Sequence, residues 1–297
     1  MKPVATVIVP THDHGPTLRV TLASALAQTV ADIEIFVIGD GVPDVTREIL
    51  ADLMQRDERV RFFDHPKGPR HGEAYRHEAL REARGDIVCY LSDDDLWFPE
   101  HVAMMRELLE KADFANVLPV AFKDDGELMS WPANLALQPF RERMLAGKNV
   151  INLSCGAHTK DAYRRLPIGW SAAPKGLSTE LYMWQKLLRL PGLRVRSGTR
   201  PTALHFPSTY RTTWTSEERV AELERWARRM ADPAWHAQFL GEVLDDIATQ
   251  AAHIQVTLRA AYATRTWRLR NWLLQAPVLG PAARALVARG AARAGEP

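Results

Sequence analysis

With 297 residues, 46% of them hydrophobic and 25% charged, the chain carries enough apolar side chains for a buried core, which excludes a disordered polymer. Its formal net charge of +2 excludes the strongly basic body of a nucleic-acid binder. The only two cysteines, Cys89 and Cys155, fall in a buried-strand pattern and in neighbouring core, which excludes a disulfide framework or zinc-ligand spacing and predicts two reduced thiols.

Lys2-Pro3 leads directly into an apolar run too short for a signal-peptide core. No stretch reaches the roughly 18 uninterrupted apolar residues of a membrane span, so the body of the protein is expected in the cytoplasm. Strands are predicted at Ala5 to Val9, Glu34 to Ile38, Val60 to Phe63, Ile87 to Leu91 and Val117 to Phe122. Between them, Leu18, Leu22, Ala25 and Leu26 share one helical face, as do Ile49, Leu53 and Met54. This alternation predicts an α/β fold of parallel strands joined by crossover helices over residues 1–123. In such sheets ligands bind beyond the carboxyl ends of the strands. The segments there are Pro10-Thr11-His12-Asp13, Gly39-Asp40-Gly41 and Ser92-Asp93-Asp94-Asp95. The first lacks the glycine-rich turn of a dinucleotide-binding domain, which excludes that reading.

From Asp124 to about Pro207 the rhythm is irregular, with a helix predicted from Ser178 to Leu190 and a late strand from Leu193 to Leu204. Thr215-Ser216-Glu217-Glu218 reads as a capping box and Asp232-Pro233 as a second helix start, predicting helices over Ser216 to Met230 and Pro233 to Tyr262. From Val256 onward Arg259, Arg265, Arg268, Arg270, Arg284, Arg289 and Arg293 face Glu296 alone, so that the tail carries +6 and the remainder −4. In Thr266 to Leu274 arginines interleave with Trp267, Leu269, Trp272 and Leu273. Such a segment suits peripheral contact with an anionic membrane, or an ordinary helix packing onto the domain or onto the second subunit of a homodimer.

Three adjacent carboxylates at Asp93, Asp94 and Asp95 repel one another. They fit a hard divalent cation shared with substrate phosphates, and they equally fit a solvated acidic turn before the helix starting near Pro99. Glu180, in the first turn of its helix, by itself reads as simple helix-start chemistry beside Ser178 and Thr179. His158, Trp131 and Trp170 fall in the later half without individual assignment, since most of nine tryptophans fill core.

Four blocks then matter together: Val7 to Thr11; Ala27-Gln28-Thr29; Val37 to Gly41 with Asp44 and Thr46; and Tyr90 to Trp97 with Pro99. In order and spacing they resemble the donor half of glycosyltransferase family 2, and the likeness continues through Gly72 to Arg76, Ala83 to Asp86 and Glu180 to Leu187. The resemblance covers roughly residues 4 to 210 and implies a GT-A fold, a Rossmann-like mixed sheet flanked by helices, with a C-terminal helical extension. It implies a catalytic domain over 1–210, with its nucleotide-sugar half at 1–123 and its acceptor half at 124–210, and a helical extension over 211–297.

Carried over by position, it implies that Pro10, His12 and Asp40 line the nucleoside pocket, that Arg76 reaches the nucleotide and that Asp93 lies near the ribose. Asp94 would bind Mn2+ or Mg2+ bridging the diphosphate, with Asp95 beside it and His205 facing the diphosphate or metal. Glu180 would be the general base. The implied reaction is inverting sugar transfer from a nucleoside diphosphate sugar, with uridine the default nucleoside, to a saccharide or glycolipid acceptor in bacterial surface-polysaccharide synthesis. His12, Gly39, Ser92 and Thr179 depart from the family's commonest pattern, which keeps an inactive nucleotide-sugar-binding module in play. A sugar-phosphate nucleotidyltransferase would need a glycine-rich loop bearing Arg and Lys, which the chain lacks.

Overall fold

The computed structural model describes residues 2–275, together with 281 and 285. In chain order the elements are β1 (Ala5–Thr11), α1 (Gly15–Leu26), β2 (Ile33–Gly39), α2 (Asp44–Arg56), β3 (Val60–Phe63), α3 (Glu73–Glu82) and β4 (Ile87–Tyr90). There follow β5 (Leu96–Trp97), α4 (His101–Leu109), β6 (Phe114–Asn116), β7 (Val120–Phe122), β8 (Leu128–Ser130), α5 (Gln138–Leu145), β9 (Gly156–Thr159) and α6 (Lys160–Arg164). The last are α7 (Thr179–Leu188), β10 (Val195–Ser197), β11 (Ala203–Leu204), α8 (Ser216–Met230), α9 (Pro233–Ala263) and α10 (Arg265–Gln275).

Near-continuous apolar runs make β1, β2 and β4 the buried centre of the sheet, since helices cover both faces of parallel strands. Among the described residues the main sheet has seven strands in the order β10-β6-β9-β4-β1-β2-β3. Only β9 runs antiparallel to its neighbours, so the sheet is mixed. Ile8, Phe36, Tyr90, Phe114 and Trp184 form its fully buried core. Cys89 and Cys155 are buried free thiols, and burial pushes the Cys89 thiol up to about 12.

Two predicted strands divide. The run Val117 to Phe122 is not one strand, because Pro119 has no N–H to continue a ladder. Instead β6 ends at Asn116 within the main sheet, and β7 turns back on β8 as a separate hairpin. The stretch Leu193 to Leu204 likewise splits around Gly198 and Pro201 into β10, at the sheet edge, and β11. That second break positions the site. β11 pairs antiparallel with β5, Leu204 opposite Leu96, so the residues flanking this pair, His205 and Asp95, are brought face to face.

The capping box at α8 is present, with Glu218 N donating to Thr215 Oγ1 and Thr215 N to Glu218 Oε2. α8 runs against α1, and its Trp226 stacks 4.0 Å from Phe122. The fully buried Arg211 reaches Glu222 of α8 while donating to the carbonyls of Phe122 and Lys123, tying the helix to β7. The first compact unit extends to Val243 and the second begins at Leu244. In the second, Leu269 and Trp272 are exposed and the Arg270 guanidinium lies 4.6 Å from the Trp267 ring. Arg284, Arg289 and Arg293 of the basic tail lie outside the described residues. No helix among the described residues is long and apolar enough to cross a membrane.

Because Arg211 and Glu222 are both buried, removing one partner strands the other charge. Arg211→Ala is expected to cost about 3–5 kcal/mol in denaturant unfolding, and the double change Arg211→Met with Glu222→Leu to recover much of that loss. An Arg211→Ala protein of undiminished stability would contradict the role given to this pair.

Candidate active site

A cavity of about 670 Å³ opens beside the carboxyl ends of β1, β2 and β4. Pro10, His12, Asp40, Arg76, Asp93, Asp94, Glu180 and His205 all line it, whereas Asp95 does not. On the β1–β2 side, His12 Nδ1 lies 2.6 Å from the Asp40 carbonyl oxygen. The nearly buried Asp40 carboxylate accepts from Lys67 Nζ and from the Gly68 amide, each at 2.6 Å. Glycine is required close by, since a Cβ on Gly72, whose φ is +60°, would lie 2.7 Å from Asp40 Cγ. Arg76 is buried against the Trp170 ring with Nη2 on the His71 carbonyl, and its Nε has no protein partner. Burial lowers the pKa of this guanidinium.

The acidic triplet divides into distinct environments. Thr17 and Thr21 of α1 donate to the Asp93 carbonyl oxygen, and the Asp93 carboxylate meets His14 Nδ1 at 3.1 Å. This hydrogen bond is the main reason the His14 pKa is pushed up to about 9. Burial, then the charges of Asp95 and Asp93, push the Asp94 carboxyl up to about 6, outweighing His14 and the Arg219 guanidinium in contact with it.

Asp95 is fully buried, and its oxygens accept from Ser154 Oγ, the Phe206 amide and His205 Nδ1, the last at 2.9 Å. Burial opposes protonation of His205, but the charge and hydrogen bond of Asp95 prevail and raise its pKa. With Nδ1 taken, Nε2 is the remaining ring nitrogen.

Ligand atoms of His14, Asp93 and Asp94 lie within 4.8 Å of one another. One imidazole and two carboxylates suit a divalent cation such as Mn2+ or Mg2+ that completes its shell with phosphate oxygens and water. His205 stands outside this tight group.

Glu180 sits in the first turn of α7, its Oε1 accepting from Asn149 Nδ2 at 2.8 Å. Ser178, at the helix start, makes no side-chain cap bond. The start of α7 is instead held by buried Glu73, which accepts from Thr179 Oγ1 and the Ala173 amide. Burial alone would raise the Glu73 pKa, yet backbone amides and Thr179 together lower it.

His14, Lys67, Glu73 and Arg219 escape the sequence reading. His14 belongs to the segment ending β1 that carries His12, while Arg219 lies 125 residues beyond Asp94 with no local motif. His158 and Trp170 prove to be core, both hydrogen-bonded to the Tyr90 hydroxyl, and Trp131 donates to the Val150 carbonyl.

The folded-state pKa of His14, about 9, lies above its ordinary 6.5, so its contribution is full below pH 6.5 and is lost as pH rises through about 9. In chelator, denaturant unfolding across that window is expected to cost wild type about 1–3 kcal/mol more than His14→Gln. Equal losses in the two proteins would contradict the His14–Asp93 pairing.

Residues 6–167, more than half of the chain, match the Glycosyl transferase family 2 profile. The chain is 33% identical over 113 residues to the uncharacterized glycosyltransferase EpsJ of Bacillus subtilis, covering 38% of this chain and 31% of that protein. To the succinoglycan biosynthesis protein ExoW of Rhizobium meliloti it is 33% identical over 110 residues, or 36% of this chain and 34% of that one. The matched stretch thus spans about a third of each curated relative. The S. aureus TarS 1–349 structure in complex with UDP-GlcNAc superposes with a TM-score of 0.57 at 17% identity, covering 92% of this chain and 80% of that one. The fold is GT-A-like, and the chain belongs to glycosyltransferase family 2.

Proposed function

We propose that the protein is a metal-dependent inverting glycosyltransferase that moves a sugar from a nucleoside diphosphate sugar to an acceptor hydroxyl. The observation that carries this reading is the presence of the Glu180 carboxylate and the His14–Asp93–Asp94 group on one cavity. A UDP-sugar is the donor we favour, supported by the fold likeness to TarS, whose structure contains UDP-GlcNAc. A saccharide or glycolipid acceptor in surface-polysaccharide assembly is supported by the relatives. These include ExoW and, at 31% identity over 96 residues, the Campylobacter jejuni GalNAc(5)-diNAcBac-PP-undecaprenol beta-1,3-glucosyltransferase, with the match covering 31% of this chain and 30% of that protein.

In this mechanism Pro10, His12 and Asp40 enclose the nucleoside, and Arg76 offers its unpartnered Nε to the nucleotide. Asp93 lies toward the ribose. Asp94 would hold Mn2+ or Mg2+ with His14 and Asp93, whose ligand atoms lie beside its own, and His205 would face the diphosphate or metal through Nε2. Asp95 acts at this centre by fixing the His205 ring, since its own oxygens are engaged. A bound cation offsets charge on the departing diphosphate. Glu180, held by Asn149, takes the acceptor proton as the hydroxyl oxygen bonds to the anomeric carbon and the bond to the diphosphate breaks on the opposite face. We assign the catalytic domain to residues 1–210 and a helical extension to the rest.

Glu180→Gln is expected to lower kcat by about 10²–10⁴ while UDP affinity, read by calorimetry with Mn2+, stays at the wild-type value. Asp94→Ala is expected to abolish transfer and the Mn2+-dependent part of UDP binding. Wild-type turnover in Glu180→Gln would remove that residue as base. Donor binding without transfer or slow donor hydrolysis in the wild-type protein would favour an inactive binding module.

For the second compact unit we propose peripheral contact with an anionic lipid surface, supported by Leu269 and Trp272 exposed beside Arg268 and Arg270. Deleting the residues after Thr264 is expected to abolish sedimentation with anionic liposomes. Unchanged partitioning would eliminate the proposal.

A further inference from the structure

α8 brings a guanidinium to the acidic centre. Arg219 Nη2 contacts Asp94 Oδ2 and lies 3.3 Å from Ser208 Oγ, while Nη1 lies 3.1 Å from His14 Nε2. Its side chain is only 12% exposed, so the charge has little recourse to water. The helix beneath it is fixed by the Thr215–Glu218 box and by the buried Arg211–Glu222 pair. A change of partner by Arg219 would therefore call for rotation of its side chain rather than movement of α8.

Asp94 and His14 also belong to the group suited to a divalent cation. Arg219 and such a cation compete for the same carboxylate, because both are positive and both need Asp94. A cation arriving alone would leave a nearly buried guanidinium without its counter-ion, which is costly. A diphosphate arriving with the cation removes that cost, since its oxygens suit the planar donors of arginine. The cost of displacing Arg219 makes the two ligands help one another, which is a coupling free energy between their sites.

Resting on the donor reading above, we propose that Arg219 is a phosphate-binding residue that couples diphosphate binding to divalent-cation binding by exchanging Asp94 for the diphosphate. Arg219 lies outside the matched residues 6–167.

The test uses the full chain freed of metal by chelation. Free Mn2+ is followed by electron paramagnetic resonance, first with Mn2+ alone and then with UDP present. In the wild type, UDP is expected to tighten Mn2+ binding by about tenfold or more, the scale of one lost counter-ion. Arg219→Ala is expected to bind Mn2+ alone more tightly than wild type and to lose most of the UDP enhancement. Arg219→Lys, which keeps the charge, is expected to fall between them. Circular dichroism and thermal unfolding establish that each variant is folded.

Unchanged Mn2+ affinity in Arg219→Ala, or undiminished enhancement by UDP, overturns the inference. UDP that fails to bind the wild type with Mn2+ present sinks the uridine donor instead, whereas tighter binding of Mn2+ alone by Arg219→Ala still supports the competition at Asp94.

Discussion

Too much negative charge in too little water is the constraint around which the cavity is organised. Asp93, Asp94 and Asp95 follow one another at the end of β4, and Asp94 and Asp95 are buried. Like charges so placed raise each other's pKa unless compensated. The protein answers each carboxylate differently: His14 for Asp93, Arg219 for Asp94, and His205, Ser154 and the Phe206 amide for Asp95. Burial, with the charges of Asp95 and Asp93 beside it, still pushes the Asp94 carboxyl up to about 6. A carboxylate destabilised by burial at a cavity wall is what a divalent cation and a diphosphate together would meet.

Several parts of the fold converge on that arrangement. Parallel strands β1, β2 and β4 end together, which gathers Pro10, His12, Asp40 and the acidic triplet at one edge. The short β5–β11 pairing delivers His205 to Asp95 from more than a hundred residues away. Glu73 joins the start of α3 to the start of α7, so the helix bearing Glu180 is anchored to the same wall as Arg76. α8, bound to β7 through Arg211, supplies Arg219. The groups proposed to meet donor and acceptor are thus carried on elements that brace one another, which is what the proposed reaction, needing alignment of three partners, would require.

Legibility followed the length scale of the interactions. The central strands could be read because short apolar runs such as Ile35 to Ile38 leave little ambiguity. The acidic triplet could be read because adjacent carboxylates are conspicuous, and Glu180 because the block Glu180 to Leu187 resembles the family in spacing. The run Val117 to Phe122 misled because its apolar composition masked Pro119, whose missing N–H ends the ladder. Two-residue strands such as β11 are too short for any periodicity to announce them. Placement of the site residues followed a similar division. His14 stood beside a residue already singled out, but its role depends on Asp93, 79 positions away. Arg219 and Glu73 act only through partners that folding brings near, and no spacing rule encodes them.

The account's central claim is that the acidic centre at the end of β4 binds a divalent cation together with a nucleoside diphosphate. Calorimetric titration of the intact wild-type chain with UDP, dTDP and GDP, each with and without excess Mn2+, tests it most directly. The account predicts heat from at least one of these nucleotides, UDP foremost, that is large with Mn2+ and weak or absent in chelator. No heat from any of them with Mn2+ present, or equal heat with and without it, would contradict the claim.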